Sequence, residues 1–307
     1  MYKPAWIFPI NNINFDSLPH TTKEKNMNIK ILSDSTCDLP KELTDRYNIS
    51  LFPLTIVKNS ENFQDNVTIK PADIFAHVAA GGDLCSTAAG NVTEYQEFFA
   101  QYADKYDAVV HVNIGSGFSS SYQNACIAAM DYDNVIVIDS QNLSTGQGHI
   151  VVKAAQLAAE CADLDALKDQ INAYVPKVEA SFVLDQLAYM VKGGRCSSAA
   201  ALGANLLNLK PCIEVRDGKM SVVKKYRGNY AKCLSAYVKD RLSGRDDIDP
   251  SLLLLTYTPV SAESMSAVKA TIAEHGNYFK EIIDAEAGCT VSCHCGPGTL
   301  GVLFVRK

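Results

Sequence analysis

The first half of the chain alternates short apolar runs with longer helical segments, and this pattern limits the folds open to it. The apolar runs are nearly continuous, which is typical of strands covered on both faces. Strands that alternate with helices form βαβ units, so we predict a parallel sheet with helices on both faces. Ligands of such sheets bind beyond the carboxyl ends of the strands. Strands are predicted at 29–32, 51–57, 107–114 and 135–138, and helices at 40–47, 71–80, 94–106, 121–130 and 146–160.

After Pro176 the pattern changes, and it predicts a second α/β domain whose strands run in mixed directions. Asp217-Gly218 lies between two apolar runs and is the turn signal of a β-hairpin. The length of 307 residues suits two domains of ordinary size. Further strands are predicted at 181–184, 211–215, 220–223 and 252–256, with a closing strand pair at 280–284 and 302–305, and helices at 197–206, 230–241 and 261–275. The fold class is α/β, with a poorly ordered extension at 1–26, an N-terminal domain at 27–176 and a C-terminal domain at 177–307.

The charge and the cysteines exclude several classes of partner. The formal net charge is −6, so no basic face for nucleic acid or for an anionic membrane surface is indicated. No apolar run approaches the ~18 residues of a spanning helix, so no stable membrane insertion is predicted. Residues 1–26 lack the order of a signal peptide. The 10 cysteines are scattered through the hydrophobic pattern, which is typical of reduced thiols, and the cytoplasm is the expected location.

Four loops with hydroxyls or glycines follow predicted strands. They contain Asp34-Ser35, Ser86-Thr87, the segment 115–121 with Ser116 and Ser119, and Asp139-Ser140. Hydroxyls and free backbone N–H groups at a helix start form a site for an anion. The alternative for each loop is ordinary helix capping, in which Ser119 or Ser120 caps the helix at 121.

Two basic or titratable side chains in the second half are further candidates. Arg195 follows Gly193-Gly194, and its guanidinium suits a carboxylate or a phosphate, or alternatively a surface salt bridge. His294 lies in a predicted loop beside the last strand, where the spacing alone favours an ordinary hydrogen-bonded role. Cys293 and Cys295 flank it, but paired C-x-x-C spacing is absent, so a zinc site is not predicted.

The motifs of several enzyme classes are absent from the sequence. The G-x-S-x-G elbow of hydrolases does not occur, and neither does a G-x-x-x-x-G-K-[ST] or a G-x-G-x-x-G loop. No carboxylate cluster indicates a magnesium site for phosphoryl transfer. Any chemistry on phosphate would therefore need a partner. A serine hydrolase that uses Ser119 or Ser116 with His294 stays open as an alternative.

Taken together in this order, the motifs resemble those of the DegV family of fatty-acid-binding proteins, which includes the acyl-binding subunit of bacterial fatty acid kinase. The resemblance extends from about Asn28 to the C-terminus. The pattern departs from the family at Gly115, where the family has Ser, and at Ser120-Ser121, where it has Gly-Thr. The matching elements are Asp34-Ser35-Thr36-Cys37-Asp38-Leu39-Pro40, Ser86-Thr87-Ala88-Ala89, Gly115 to Ala125, Asp139-Ser140, Leu184 to Arg195, and His294 with Gly296, Pro297, Gly298 and Gly301.

The resemblance implies a lipid tunnel between two α/β domains and a carrier role without catalytic residues, metal or cofactor. A long-chain fatty acid would lie in the tunnel, and the ATP-binding subunit of a fatty acid kinase would phosphorylate its carboxylate, a step of phospholipid metabolism. A lipid sensor that acts without a kinase is the remaining alternative. The carboxylate would be bound by Ser86 or Thr87 and by Ser119, flanked by Arg195 and His294, with Asp34, Ser35, Ser116 and Gly194 in the supporting loops.

Overall fold

The computed structural model describes residues 26–202 and 209–307. The predicted extension at 1–26 therefore lies outside the described residues except for Asn26, and so does the end of the predicted helix at 197–206. The described strands are β1 Ile29–Asp34, β2 Ser50–Phe52, β3 Thr55–Lys58, β4 Glu61–Gln64, β5 Ser86–Ala88, β6 Ala108–Asn113, β7 Val135–Asp139, β8 Val178–Val183, β9 Leu209–Arg216, β10 Lys219–Arg227, β11 Leu253–Tyr257, β12 Ile282–Glu286 and β13 Leu300–Val305.

The helices follow the prediction over most of the chain. Helices α6 and α7 were not predicted from the sequence, and the residues of α11 were placed in a loop. The α-helices are α1 Lys41–Arg46, α2 Pro71–Ala79, α3 Val92–Ala100, α4 Ser121–Ala129, α5 Ser144–Ala158, α6 Leu164–Tyr174, α7 Ala188–Gly193, α8 Ser197–Ala200, α9 Tyr230–Leu242, α10 Ala262–His275 and α11 Cys289–Cys295. In the described ranges, none of these helices has the length and apolar character needed to cross a membrane.

A four-stranded parallel sheet forms the centre of the N-terminal half, in the order β2-β1-β6-β7. All six residues of β6 are buried, because helices cover both faces of the sheet. The predicted parallel sheet is confirmed. Asn91 caps helix α3, which precedes β6, by accepting the free N–H of Glu94 at 3.0 Å.

A six-stranded mixed sheet forms the C-terminal half, in the order β10-β9-β8-β13-β11-β12. The predicted hairpin is confirmed as β9 and β10, and Asp217 and Gly218 both have positive φ, as a type I′ turn requires. The predicted closing pair is wrong, because β12 and β13 both pair with β11, which lies between them. Together the two large sheets confirm the α/β fold class.

A small antiparallel sheet, in the order β4-β3-β5, was not predicted. The single strand predicted at 51–57 is wrong, since Pro53 divides it into β2 in the parallel sheet and β3 in the small one. Proline has no N–H for a strand ladder, so the chain changes sheets at this position. The consequence for the site is that β5, which carries Thr87, pairs with β3.

Helix α5 lies between the two large sheets and is buried along most of its length. Gln147 bonds Ser33 and Thr36 on the parallel side, while His149 Nε2 lies 3.0 Å from the carbonyl oxygen of Leu303 in the mixed sheet. Apolar residues of both halves pack around this helix in one cluster. The helix thus joins the halves, and the boundary after residue 176 stays a prediction.

Candidate functional site

A pocket of about 180 Å³ lies where the two halves of the chain meet. One wall is the loop after β6, the second is the small sheet, and the third is α11 with the end of α7. The walls combine hydroxyls and one guanidinium with apolar side chains. The lining residues are Leu54, Thr87, Ala88, Ala89, Ile114, Phe118, Ser119, Ser120, Leu143, Met190, Arg195, Met220, Thr290, Val291, His294 and Cys295.

Strand β5 places the Thr87 side chain on the pocket wall. Successive side chains of a strand point to opposite faces, and Ser86 is accordingly exposed and absent from the lining. Thr87 Oγ1 lies 2.9 Å from Nε2 of His294. Of the two candidate hydroxyls, Ser86 and Thr87, only that of Thr87 therefore reaches the pocket.

Helix α11 positions His294, and a buried carboxylate holds the start of this helix. Asp65 accepts the backbone N–H groups of Cys289 and Thr290 at 2.7 and 3.1 Å, and the Thr290 hydroxyl at 2.7 Å. A carboxylate at a helix start satisfies N–H groups that have no partner inside the helix. The expectation that His294 lies in a loop is wrong, because the residue belongs to helix α11.

His294 is a neutral, tightly held imidazole. Burial lowers its pKa to about 4, and the positive charge of Arg195 acts in the same direction. Its Nδ1 has no hydrogen-bond partner among the described residues. A Cβ added to Gly193 would stand 2.3 Å from this nitrogen, so only glycine leaves room for the ring. The Gly193-Gly194-Arg195 motif therefore has two roles: Gly193 leaves room for the His294 ring, and Arg195 supplies a positive charge.

We expect Gly193→Ala to displace His294 from Thr87. The new methyl group would overlap the imidazole at Nδ1, and the ring must then turn or move out. NMR signals of the His294 ring should shift, and binding of the pocket's ligand should weaken by about tenfold, as for one lost hydrogen bond to a charged group. Val191→Ala on the same helix is the control, since its side chain is 43% exposed and does not line the pocket. Unchanged His294 signals in Gly193→Ala would contradict the steric account.

The loop after β6 brings Ser119 to the pocket, and Asp34 fixes the start of this loop. The buried Asp34 carboxylate accepts the N–H of Ile114 at 2.7 Å and that of Thr36 at 3.0 Å. Desolvation raises the pKa of Asp34, opposed by these hydrogen bonds. Ser119 Oγ accepts the N–H of Ser121 at 3.1 Å. Ser119 therefore lines the pocket and also accepts a backbone N–H of the first turn of α4. The predicted capping role of Ser119 is thus compatible with its place in the pocket.

Arg195 supplies the positive charge at the mouth of the pocket. Gly194, at φ +69°, ends α7 in the left-handed conformation and turns the chain toward Arg195. The exposed guanidinium donates to the carbonyl oxygen of Gly193 at 2.7 Å. It forms no salt bridge with any carboxylate in the described ranges. Its charge is thus available to an anion in the pocket.

A second, smaller cavity of about 30 Å³ adjoins the pocket and lies against the mixed sheet. The two cavities share Leu143, Val291 and Cys295 in their linings, and these three side chains, termed the neck, stand between them. The lining beyond the neck is largely apolar and includes Phe182 and Leu303. Sequence analysis did not single out these residues, because they come from both halves and look like ordinary core positions.

All four of the supporting residues, Asp34, Ser35, Ser116 and Gly194, lie outside the pocket lining. The hydroxyl of Ser35 donates to Asp65 at 2.9 Å, and that of Ser116 donates to Asp139 at 2.6 Å. Asp34 acts only through the loop it fixes. Ser119 and His294 line the same pocket, but His294 has no serine or carboxylate hydrogen-bond partner within the described part of the chain, so the pairing that the hydrolase alternative needs is not formed.

The clustered cysteines belong to the core rather than to a ligand shell. Cys289 and Cys293 pack with Cys85 among the isoleucines beneath the small sheet. Cys295 points the other way and lines the neck. No group of three or more metal-ligating side chains with suitable geometry occurs in residues 26–202 and 209–307.

Comparison with known proteins gives a family match over nearly the whole chain. The model of the DegV family, described as an uncharacterised protein family, matches residues 28–307. A DegV domain-containing protein of Clostridium acetobutylicum is 30% identical over 283 residues, which make up 91% of this chain and 99% of that protein.

Solved structures give the same result for the fold. A Thermus thermophilus DegV family protein, described by its fatty acid binding, has a TM-score of 0.81 at 25% identity, covering 92% of this chain and 100% of that one. DegV of Bacillus subtilis, described as a fatty acid binding protein, has a TM-score of 0.77 at 24% identity, with the same two coverages, and supports the fold alone.

Proposed function

Because the chain belongs to the DegV family, we propose that it binds a long-chain fatty acid and presents the carboxylate to an ATP-dependent kinase subunit. The observation that carries this proposal is the shape of the site. A polar mouth with Thr87, Ser119 and Arg195 adjoins, across the three neck side chains, a largely apolar inner cavity. The fatty acid binding described for the Thermus thermophilus relative supports the same ligand class.

The chemistry of the mouth suits a carboxylate. An anion that leaves water needs hydrogen-bond donors and a compensating charge. Thr87 and Ser119 supply hydroxyl donors, and Arg195 supplies the charge. The neutral His294 can accept or donate at Nε2, and it holds the Thr87 hydroxyl in place. The head group is therefore bound by neutral hydroxyls and one exposed guanidinium. Such groups hold a carboxylate without a buried ion pair, so they can also release it, which suits a carrier.

The apolar lining of the neck and the inner cavity suits an acyl chain, but the inner cavity of about 30 Å³ has about the volume of one water molecule, so its walls must move apart to admit a long chain. Each buried CH₂ group contributes about 0.8 kcal/mol, so a chain of about sixteen carbons offsets the ordering costs of binding. Val291 and Cys295 of α11 line both cavities. Helix α11, which positions His294 at the carboxylate, therefore also forms part of the wall along the acyl chain. One helix thus contacts both ends of the bound fatty acid.

Two features support the kinase step of the proposal: the sequence has no phosphate-binding loop, and Arg195 is exposed at the mouth of the pocket. The chain carries no phosphate-binding loop in its sequence, so the phosphoryl group must come from a partner. Arg195 is exposed at the mouth, where it can steady the charge of a carboxylate that is becoming an acyl phosphate. We place this reaction in the cytoplasm, where ATP is available and thiols stay reduced.

The kinase step is tested by combining the purified protein, oleic acid and ATP with the fatty acid kinase ATP-binding subunit of the same genome. We expect acyl phosphate, trapped as the hydroxamate by hydroxylamine, only when both proteins are present. Omission of each protein is the control. Fatty acid that stays bound without any acyl phosphate would contradict the kinase step and favour the lipid sensor.

A further inference from the structure

One buried carboxylate joins the two sides of the neck. Leu143, on one side, directly precedes Ser144 at the start of α5, while the other side of the neck lies on α11, directly after Gly288. Asp38 is 6% exposed, and it accepts the hydroxyl of Ser144 at 2.5 Å and the backbone N–H of Gly288 at 2.8 Å. These two hydrogen bonds, termed the tie, use different oxygens of the carboxylate. The tie therefore holds the Leu143 side of the neck against the α11 side.

The backbone at both ends of the Ser144 bond is in a costly conformation. Asp38 has φ +49° and Ser144 has φ +52°, in the left-handed region that residues other than glycine rarely adopt. Such a conformation persists only where the surrounding contacts determine it. The bond between Ser144 and Asp38 is one of these contacts, so both residues are held for the bond that they form.

The tie opposes the movement that a long acyl chain requires. The inner cavity of about 30 Å³ is much smaller than such a chain, so the neck must widen for the chain to pass. When the two sides of the neck separate, at least one bond to the buried carboxylate of Asp38 has to break, and bonds to charged groups are the stronger ones. In residues 26–202 and 209–307, no other side chain hydrogen-bonds to both the loop at 140–144 and the segment 288–295.

We propose that Asp38 is a positioning residue, which sets how readily the neck opens to the acyl chain. This inference rests on the proposed function. Asp38 is absent from the linings of both cavities, so it acts through the two segments that it ties. Because the tie closes again behind the acyl chain, it stabilises the free and the bound states equally. It opposes only the open state between them, and it therefore governs the exchange rates of the ligand rather than its affinity.

The test measures the exchange of cis-parinaric acid, a fluorescent long-chain fatty acid, with the delipidated protein by stopped-flow fluorescence. In Asp38→Ala and in Ser144→Gly we expect association and dissociation rates about tenfold higher than in the wild type, because a hydrogen bond to a charged group no longer has to break. The dissociation constant should stay within about threefold, since both rates rise together.

A conservative variant should restore slow exchange. In Asp38→Asn the amide oxygen can accept the N–H of Gly288 while the NH₂ group donates to the oxygen of Ser144, so both bonds of the tie are kept without the charge. We expect this variant to exchange the probe within about threefold of the wild-type rates. Where Asp38→Ala does not fold, Ser144→Gly alone tests the tie, because glycine adopts the left-handed backbone of this position without strain.

Two controls separate the tie from backbone strain and from stability. Gln141→Gly relieves a left-handed residue of the same loop, at φ +48°, but Gln141 is exposed and has no hydrogen bond to Asp38 in the described part of the chain. Val268→Ala removes volume from a fully buried position of a separate core cluster and lowers stability away from the neck. Both controls should exchange the probe as the wild type does.

Several outcomes would overturn the tie. Wild-type exchange rates in Asp38→Ala and Ser144→Gly would do so, as would equally fast exchange in Gln141→Gly or Val268→Ala. Exchange in Asp38→Asn that is as fast as in Asp38→Ala would show that Asp38 acts through its charge and not through the two bonds. In each of these cases the wild type still binds the probe, and the proposed function stands. A wild-type protein that binds no cis-parinaric acid would overturn the proposed function together with the tie.

Discussion

Replacing Thr87 with valine and Ser119 with alanine in one chain should lower the affinity for hexadecanoic acid about a hundredfold. Each hydrogen bond to a charged group is worth about 1.5–3 kcal/mol, and about 1.4 kcal/mol is a factor of ten in affinity. Both substitutions keep or reduce the side-chain volume, so the apolar walls stay intact. The acyl chain then still enters the inner cavity, while the carboxylate keeps only Arg195. Isothermal titration calorimetry with the delipidated protein measures the difference.

The control for this pair is Ser86→Ala with Ser116→Ala. These hydroxyls lie in the same strand and the same loop as the tested ones, but outside the pocket. We expect the control to bind hexadecanoic acid as the wild type does. A loss of affinity in the control that equals the loss in the tested pair would show that the loops, rather than the two hydroxyls, determine binding.

Replacing Asp65 with alanine should lower the free energy of unfolding by about 3 kcal/mol or more, because it leaves several buried donors without an acceptor. Asp65 is 1% exposed and accepts from Ser35, Cys289 and Thr290. Since the start of α11 depends on it, His294 should also lose its fixed position beside Thr87. Urea denaturation followed by circular dichroism measures the loss.

Asp83→Ala is the matched control, since Asp83 is exposed and has no hydrogen-bond partner in the described residues. Its unfolding free energy should stay within about 0.5 kcal/mol of the wild type. If Asp65→Ala loses no more than this control, the carboxylate does not hold the start of α11, and the account of how His294 is positioned would be wrong.

The large sheets could be predicted because their information is local. The apolar residues of β6 are consecutive in the sequence. The turn residues Asp217-Gly218 predict the β9–β10 hairpin from local sequence alone. Pro53 misled the prediction, since the apolar run continues across it while the chain changes sheets. Helix α11 was missed for a different reason. Its start is stabilised by Asp65, a residue 224 positions away, so no local pattern announces it.

The candidate site could be predicted only as a set of separate residues. Thr87, Ser119, Arg195 and His294 were all singled out, and the structure places all of them around one pocket. Their arrangement could not be read from the sequence, because Thr87 and His294 are 207 positions apart. The choice of Thr87 over Ser86 depends on the small sheet, which was not predicted. The neck residues carry no motif at all.

The central claim is that a fatty acid occupies the two connected cavities, and native mass spectrometry of the purified protein tests it most directly. The account predicts a stoichiometric mass excess that organic extraction identifies as a long-chain fatty acid, and that falls in the Thr87→Val/Ser119→Ala variant. A protein that stays at its bare mass, even after incubation with fatty acids, would contradict it.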